Sequence, residues 1–232
     1  MSRLASFGAA ILILVLAGLT PLWLQVGTGW WVVAVIAFAH GLAMLGMPSW
    51  VGVGAGAARV GPADYVTMAR AMLGSACVAL AVLVLNSRLT PPTWWFAPPA
   101  VLALVLDGVD GQLARRTGTA SAQGARYDME CDAMLLMILC IPAALTHGLW
   151  VLLIGLMRYL FVIVALLVPK LRGTDAPTLF ARVVALIQGV ALVVAVSPVL
   201  PYRMNLIVLA IALILLVISF GRQTVTLLRP VS

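Results

Sequence analysis

Acidic side chains are rare in this sequence and are concentrated in one short segment. The chain has seven acidic residues, and five of them fall within residues 107–132. Asp107 and Asp110 are three residues apart and Asp128 and Asp132 are four apart, so each pair shares one face of a helix. A short loop joins the two helices, which can therefore run antiparallel. The spacing predicts that the four carboxylates face one another in a single site.

Four carboxylates that lie close together need a positive counter-charge. Their hard oxygen ligands favour Mg²⁺, with Mn²⁺ or Ca²⁺ as alternatives, and disfavour zinc because no His or Cys lies at suitable spacing. Proteins usually hold Mg²⁺ together with substrate phosphates. Gly111 and Gly124 leave space for a ligand to approach the backbone, and Arg115 can meet a phosphate. The alternative is that the acids are neutralised as ion pairs at the membrane border by Arg115, Arg116 and Arg126.

The elements that carry these acids are predicted to be membrane helices. Of the 232 residues, 64% are hydrophobic and only 9% are charged, and the mean hydropathy is +1.16. A spanning helix needs about 20 mostly apolar residues, and eight continuously apolar stretches approach or exceed this length. They are residues 4–24, 30–47, 66–85, 94–113, 130–147, 149–169, 179–198 and 205–221. The sequence therefore predicts an all-α integral membrane protein, with the first stretch retained as a helix.

The basic residues indicate how these helices are oriented. Most of them fall at one set of helix ends and loops, whereas Arg88 and Arg203 fall at the other. The positive-inside rule then predicts that both termini and the 115–127 loop are cytoplasmic, with the acidic site at the cytoplasmic face of the cell (inner) membrane. The net charge of +7 is spread along this border. It therefore favours anionic lipid headgroups as partners and disfavours nucleic acid.

The segment around the acids also resembles a known motif. It contains Asp-x-x-Asp-Gly-x-x-Ala-Arg, eight further residues, and Gly-x-x-x-Asp-x-x-x-Asp. This resembles the pattern of the CDP-alcohol phosphatidyltransferase family. The fixed positions that match are Asp107, Asp110, Gly111, Ala114, Arg115, Gly124, Asp128 and Asp132.

A second, weaker match lies upstream of this motif. Pro62, Asp64, Thr67 and Arg70 resemble a Pro-Asn-x-x-Thr-x-x-Arg stretch that often opens the family's first core helix. In this chain the proline is displaced by one position and Asp replaces the usual Asn. Asp64 is predicted to N-cap a helix that begins near Tyr65.

The resemblance implies a domain organisation and a reaction. A six-helix catalytic core would occupy residues 62–222, preceded by a pair of transmembrane helices within 1–50 and followed by a cytoplasmic tail at 223–232. Family members transfer a substituted phosphate from a CDP-linked donor, usually CDP-diacylglycerol, to an alcohol and release CMP. The resemblance also implies a homodimer. His40, the one titratable group within the first two helices, is interpreted as a hydrogen-bonded structural residue.

By the same resemblance, the motif residues divide into separate roles. Asp107, Asp110 and Asp128 would hold one or two metal ions on the diphosphate. Asp132 would be a further metal ligand and the base that deprotonates the acceptor hydroxyl. The nucleotide pocket would be lined by Asp107, Gly111, Ala114, Arg115 and Gly124, together with Asp64 and Thr67.

The acceptor is suggested by arginines within the apolar stretches, because an intramembrane arginine normally faces a cavity or a partner. These residues are Arg70, Arg158 and Arg182. Arg158 and Arg182, with Lys170 and Arg172 between their helices, could bind a phosphorylated acceptor such as glycerol 3-phosphate or an inositol phosphate. The equal alternative is that Arg158 pairs with one of the acids. Glu130 has no assigned role.

Two other functions remain as alternatives. A membrane prenyltransferase also binds a Mg²⁺-diphosphate through paired aspartate motifs, but these motifs lie on separate repeats and lack the Gly-Ala-Arg residues found here. A divalent-cation or phosphate carrier would place its acids near the bilayer midplane on broken helices. The acids of this chain flank a basic loop instead, which favours the transferase.

Overall fold

The computed structural model describes residues 2–26, 30–51, 60–168 and 179–228, and within these ranges every regular element is a helix. Short 3-10 helices precede α5 and α7, at Trp94–Phe96 and Leu149–Val151. The α-helices are α1 Ser2–Gly18, α2 Thr20–Val26, α3 Trp30–Val51, α4 Pro62–Leu85, α5 Ala97–Thr117, α6 Ala122–His147, α7 Leu152–Leu167, α8 Leu179–Val196 and α9 Tyr202–Leu228.

Six of the described helices are long and apolar enough to cross a membrane: α3, α4, α6, α7 with its preceding turn, α8 and α9. The eight predicted stretches are therefore only partly matched. The first, residues 4–24, is divided at Leu19 into α1 and α2, which leaves α1 as a shorter apolar helix. The fourth corresponds to α5, whose last three turns carry charged side chains from Asp107 to Arg116.

The helices that carry the acids are joined by a tight turn. Helix α5 ends at Gly118, whose φ of 65° lies in the left-handed region that glycine adopts at least cost. Helix α6 starts after Ser121, whose hydroxyl accepts a hydrogen bond from the Gly124 N–H at 3.0 Å. This cap starts α6 eight residues before the predicted apolar stretch. Asp128 therefore lies within a helix and faces α5.

The start of α4 lies against this same turn. A Cβ on Gly61 would approach Thr119 to 2.6 Å, so only a glycine fits between the two segments. At the opposite end of the bundle, the Thr93 N–H donates to the Val196 carbonyl at 2.8 Å. The end that contains this turn also carries the acids and nearby basic residues such as Arg115, Arg116 and Arg126. The two ends of the bundle thus differ in charge.

Helix α4 is the central helix of the bundle, with 78% of its apolar span buried. It packs against α1, α3, α5 and α6. Small residues bring other helices close: a Cβ on Gly155 would lie 2.8 Å from Met137 Cα, and one on Gly189 would lie 2.5 Å from Leu104. Because α4 has neighbouring helices on several sides, its side chains reach both helices that carry the acids.

Candidate active site

Arg70 lies at the centre of the acidic site. It projects from α4, and its side chain is only 2% exposed. Its guanidinium forms ion pairs with the four aspartates of the motif, two from α5 and two from α6. The structure therefore brings the four carboxylates together as predicted, and it adds a cation that joins them.

The guanidinium divides its bonds evenly between the two helices. Nη1 donates to Asp110 Oδ2 at 2.6 Å and to Asp128 Oδ1 at 2.5 Å. Nη2 contacts Asp107 Oδ1 at 2.9 Å and also donates to Asp132 Oδ1. Each terminal nitrogen thus joins one carboxylate of α5 to one of α6. A lysine could not reproduce this planar fork of donors.

The four carboxylates differ in exposure. The Asp110 side chain is 4% exposed, whereas those of Asp107, Asp128 and Asp132 are between 33% and 38% exposed. Asp110 is also held by the protein itself, since Oδ2 accepts from the Thr67 hydroxyl at 3.0 Å and Oδ1 from the Gly111 N–H at 2.7 Å. The cluster therefore has a fixed, buried side at Asp110 and an open side formed by the other three acids.

Three of these acids fit a metal ion. Asp107, Asp110 and Asp128 each offer an oxygen, and these oxygens lie within 4.8 Å of one another. Asp132 lies one turn further along α6. Arg70 balances only one of the four formal negative charges, so three remain for other cations. Hard oxygen ligands with excess negative charge suit Mg²⁺ or Mn²⁺.

The glycines and Arg115 of the motif lie on α5 and α6, close to the acids along the chain. Gly111 lies beside Arg115, since a Cβ on Gly111 would be 3.5 Å from Arg115 Nη1. The guanidinium of this exposed arginine therefore lies over the turn that follows Asp110. Ala114, on the same helix, is half-buried. A Cβ on Gly124 would be 3.2 Å from Asp64 Oδ1, so the absence of a side chain here makes room for that carboxylate.

Asp64 takes a different position from the predicted one. Helix α4 begins at Pro62 and Gly61 is its N-cap, so the expected start near Tyr65 is wrong by three residues. Asp64 lies in the first turn, where its Oδ2 accepts from the Gly61 N–H at 2.7 Å. Proline is favoured at the first helical position because it has no N–H to leave unpaired. Asp64 thus fixes the start of the helix that carries Thr67 and Arg70.

The arginines expected to bind an acceptor do not form one group. Arg70 is bonded to the four aspartates, and its assignment to an acceptor phosphate stays a prediction. Arg158 donates from Nη2 to Glu130 Oε1 at 2.7 Å, so of its two predicted alternatives the structure has the ion pair, which also gives Glu130 a place. Arg182 is exposed near the start of α8. Lys170 and Arg172 lie outside the described residues.

Sequence reasoning missed the central role of Arg70, although one signal was present. Arg70 is the one arginine of α4, the most deeply buried of the spans, and a buried arginine in such a helix has to face a partner. The Thr67–Arg70 spacing places both side chains on one face, and both contact Asp110. The acids were the available partners.

Comparison with known proteins identifies the family. The family model for CDP-alcohol phosphatidyltransferase matches residues 60–218, which is more than half of the chain. The chain belongs to the CDP-alcohol phosphatidyltransferase family. No curated protein and no solved structure shows a significant match to it.

Family membership confirms the resemblance and the fold class predicted from the sequence. The matched region begins two residues before α4 and ends within α9, so it comprises the six helices α4–α9, and α1–α3 precede it. CDP-alcohol phosphatidyltransferases are all-helical integral membrane enzymes of phospholipid synthesis. In general terms, the chain is therefore a membrane transferase of this type that moves a phosphatidyl group from a CDP-alcohol to another alcohol.

Proposed function

We propose that this chain transfers the phosphatidyl group of CDP-diacylglycerol to a small alcohol and releases CMP, with Mg²⁺ as cofactor and Mn²⁺ as a substitute. The acceptor would be glycerol 3-phosphate or an inositol phosphate. The reaction would take place at the cytoplasmic face of the cell membrane, and the protein would act as a homodimer. The proposed catalytic core is residues 62–222.

One observation carries this proposal: four carboxylates from two consecutive helices converge on one guanidinium and exceed its charge. The excess here supports a site for divalent cations and for the diphosphate that accompanies them. When bound, the metal would neutralise the diphosphate and stabilise the CMP leaving group.

The aspartates would have different tasks in this reaction. Asp110, which Thr67 and the Gly111 N–H hold in place, is suited to be a fixed metal ligand, with Asp107 and Asp128 completing the set. Asp132 is partly exposed, lies one turn beyond Asp128, and is not among the three acids whose oxygens could share one metal ion. This supports Asp132 as the general base that takes the proton from the acceptor hydroxyl. Such proton transfer contributes about 10²- to 10⁴-fold to a rate.

The nucleotide would lie on the open side of the acids. Gly111, Ala114, Arg115 and Gly124 lie close to the acids along α5 and α6, and Asp64 holds the neighbouring start of α4. Arg115 would meet a phosphate of the nucleotide. The two acyl chains of the donor would remain among the apolar helix faces, since the site opens at the end of the membrane spans. The basic residues grouped at this end support a cytoplasmic location by the positive-inside rule.

The proposal is tested by following CMP release from the purified protein in detergent with CDP-diacylglycerol and Mg²⁺. Glycerol 3-phosphate, inositol 1-phosphate, glycerol, inositol and serine would be supplied one at a time. We expect release with one phosphorylated acceptor and none in EDTA, with activity restored by Mg²⁺ or Mn²⁺. Release with none of these acceptors would contradict the assigned donor, and full activity in EDTA would contradict the metal site. Asp128→Asn is the inactive control.

A further inference from the structure

A small cavity lies behind Arg70, on the side away from the acids' open face. It is enclosed by α3, α4 and α6, and its volume of about 10 Å³ is enough for one water molecule. Its polar lining comes from His40 of α3 and from Arg70 of α4. Apolar side chains and the Cys131 thiol form the rest of the wall.

Two polar atoms of these residues lack a partner. Among the described residues, His40 Nε2 and Arg70 Nε are both buried without a hydrogen bond to any protein atom. Arg70 as a whole is 3% exposed. Buried donors and acceptors are almost always paired, with protein or with ordered water, because an unpaired one costs free energy. Two such atoms on residues that line one cavity therefore point to a shared ligand.

The hydrogen-bonding capacities of the two atoms are complementary. His40 Nδ1 lies 3.0 Å from Ser75 Oγ, and the imidazole ring lies beside Gly74 of α4. When Nδ1 carries the proton and donates to Ser75, Nε2 is an acceptor, whereas Arg70 Nε–H is only a donor. One water can accept from Arg70 and donate to His40. His40 and Arg70 can therefore be linked through the water without a direct hydrogen bond between them.

We infer that His40 is a positioning residue for the active site, which acts on Arg70 through one buried water. The water holds Nε, and thereby fixes the plane in which Nη1 and Nη2 face the four aspartates. His40 belongs to α3, which lies outside the matched region 60–218. The helices that precede the catalytic core thus contribute to the site. The inference rests on the proposed function in one respect: the CMP release assay assumes that reaction, whereas the melting temperatures do not.

A double-mutant cycle of His40→Leu and Arg70→Lys tests this inference, because lysine keeps the charge but has no Nε–H. With Arg70 present, His40→Leu should lower the CMP release rate about tenfold. It should also lower the melting temperature in EDTA by about 3 °C. In the Arg70→Lys background, the effect of His40→Leu on both should be clearly smaller, because only the hydrogen bond of His40 to Ser75 is then lost. Equal effects in both backgrounds would overturn the inference.

A conservative variant supplies a second, independent test. The side-chain oxygen of His40→Gln can accept from the water, so its rate should stay within about twofold of the wild type. If His40→Gln is as impaired as His40→Leu, the contact with Arg70 is not what His40 provides. This comparison decides the question even if Arg70→Lys fails to fold.

His147 offers a matched control. It is also a buried histidine, but it lies at the opposite end of α6, where it contacts the Ala143 carbonyl and stacks on Tyr202. His147→Leu should lower the melting temperature and leave the CMP release rate within about twofold of the wild type. If no acceptor supports CMP release by the wild type, the proposed function fails. The melting temperatures in EDTA still decide the role of His40.

Discussion

Two arginines of this bundle, Arg70 and Arg158, lie in the middle of apolar helices but in very different surroundings. The Arg70 side chain is 2% exposed and contacts four aspartates. The Arg158 side chain is 29% exposed, and among the described residues it forms an ion pair only with Glu130. From the sequence, both were candidates to bind a phosphorylated acceptor.

The balance of charge separates these two sites. The ion pair of Arg158 with Glu130 has no net formal charge. It therefore needs no further counter-ion on the partly exposed surface of its helices. Among the described residues, the cluster around Arg70 has four carboxylates and one guanidinium, an excess of three formal negative charges. Such a cluster is costly unless further cations bind, since like charges at close range oppose one another's ionisation.

The largest effect should come from Asp132→Asn, which removes the proposed base and keeps the shape of the side chain. We expect the CMP release rate to fall about 10²- to 10⁴-fold, while binding of CDP, measured by calorimetry with Mg²⁺, survives. Glu130→Gln is the matched control, since it neutralises a carboxylate two residues away on α6 that contacts Arg158 instead. Its rate should stay within about twofold of the wild type. Full turnover by Asp132→Asn would exclude it as the base.

The next largest effect should be on stability, in Arg70→Gln. Removing one partner from a buried ionic cluster costs about 3–5 kcal/mol, because the remaining charges lose their compensation. The melting temperature in EDTA should therefore fall by about 10 °C. Adding Mg²⁺ should then raise the melting temperature of Arg70→Gln more than that of the wild type, because the metal replaces Arg70 as the cation of the cluster. An equal rise in both proteins would show that Arg70 and the metal do not share the same acids.

The grouping of the acids on shared helix faces could be predicted from the sequence, because the period of an α-helix is fixed. Positions three or four apart lie on one face, so Asp107 with Asp110 and Asp128 with Asp132 required no knowledge of the tertiary fold. Helix starts were less predictable. Apolarity alone placed the start of α6 at residue 130, whereas the Ser121 hydroxyl starts the helix at Ala122.

The partners of the acids could not be predicted, because they depend on how distant helices pack. Arg70 lies 40 residues from Asp110 and 62 from Asp132 along the chain. The sequence offered Arg115, Arg116 and Arg126 as nearer cations, but the described ion pairs of the cluster involve Arg70. The placement of α4 between the other helices decided this, and Gly8 of α1 allows one close approach to α4, since a Cβ there would lie 2.8 Å from Met68.

A smaller effect is expected from Gly124→Ala at the edge of the cluster. The new Cβ would lie 3.1 Å from Ser121 Oγ and 3.2 Å from Asp64 Oδ1, so it would push on both helix caps. We expect a loss of about 1 kcal/mol in stability and a several-fold higher KM for the CDP-linked donor. Gly108→Ala is the matched control, because a Cβ there meets nothing within 4 Å. Equal behaviour of the two variants would mean that Gly124 does not make room for the nucleotide site.

The smallest effect should come from breaking the neutral pair with Arg158→Gln. Both side chains are about one-third exposed, so solvent screens the interaction, and such pairs contribute about 0.2–1 kcal/mol. The melting temperature of Arg158→Gln should fall by no more than about 3 °C. Glu130→Gln should lower it by a similar amount. The double variant should show no further loss. The KM for the acceptor decides between the two original interpretations of Arg158. If it rises about tenfold in Arg158→Gln but not in Glu130→Gln, Arg158 binds the acceptor and its pairing with Glu130 gives way when substrate enters.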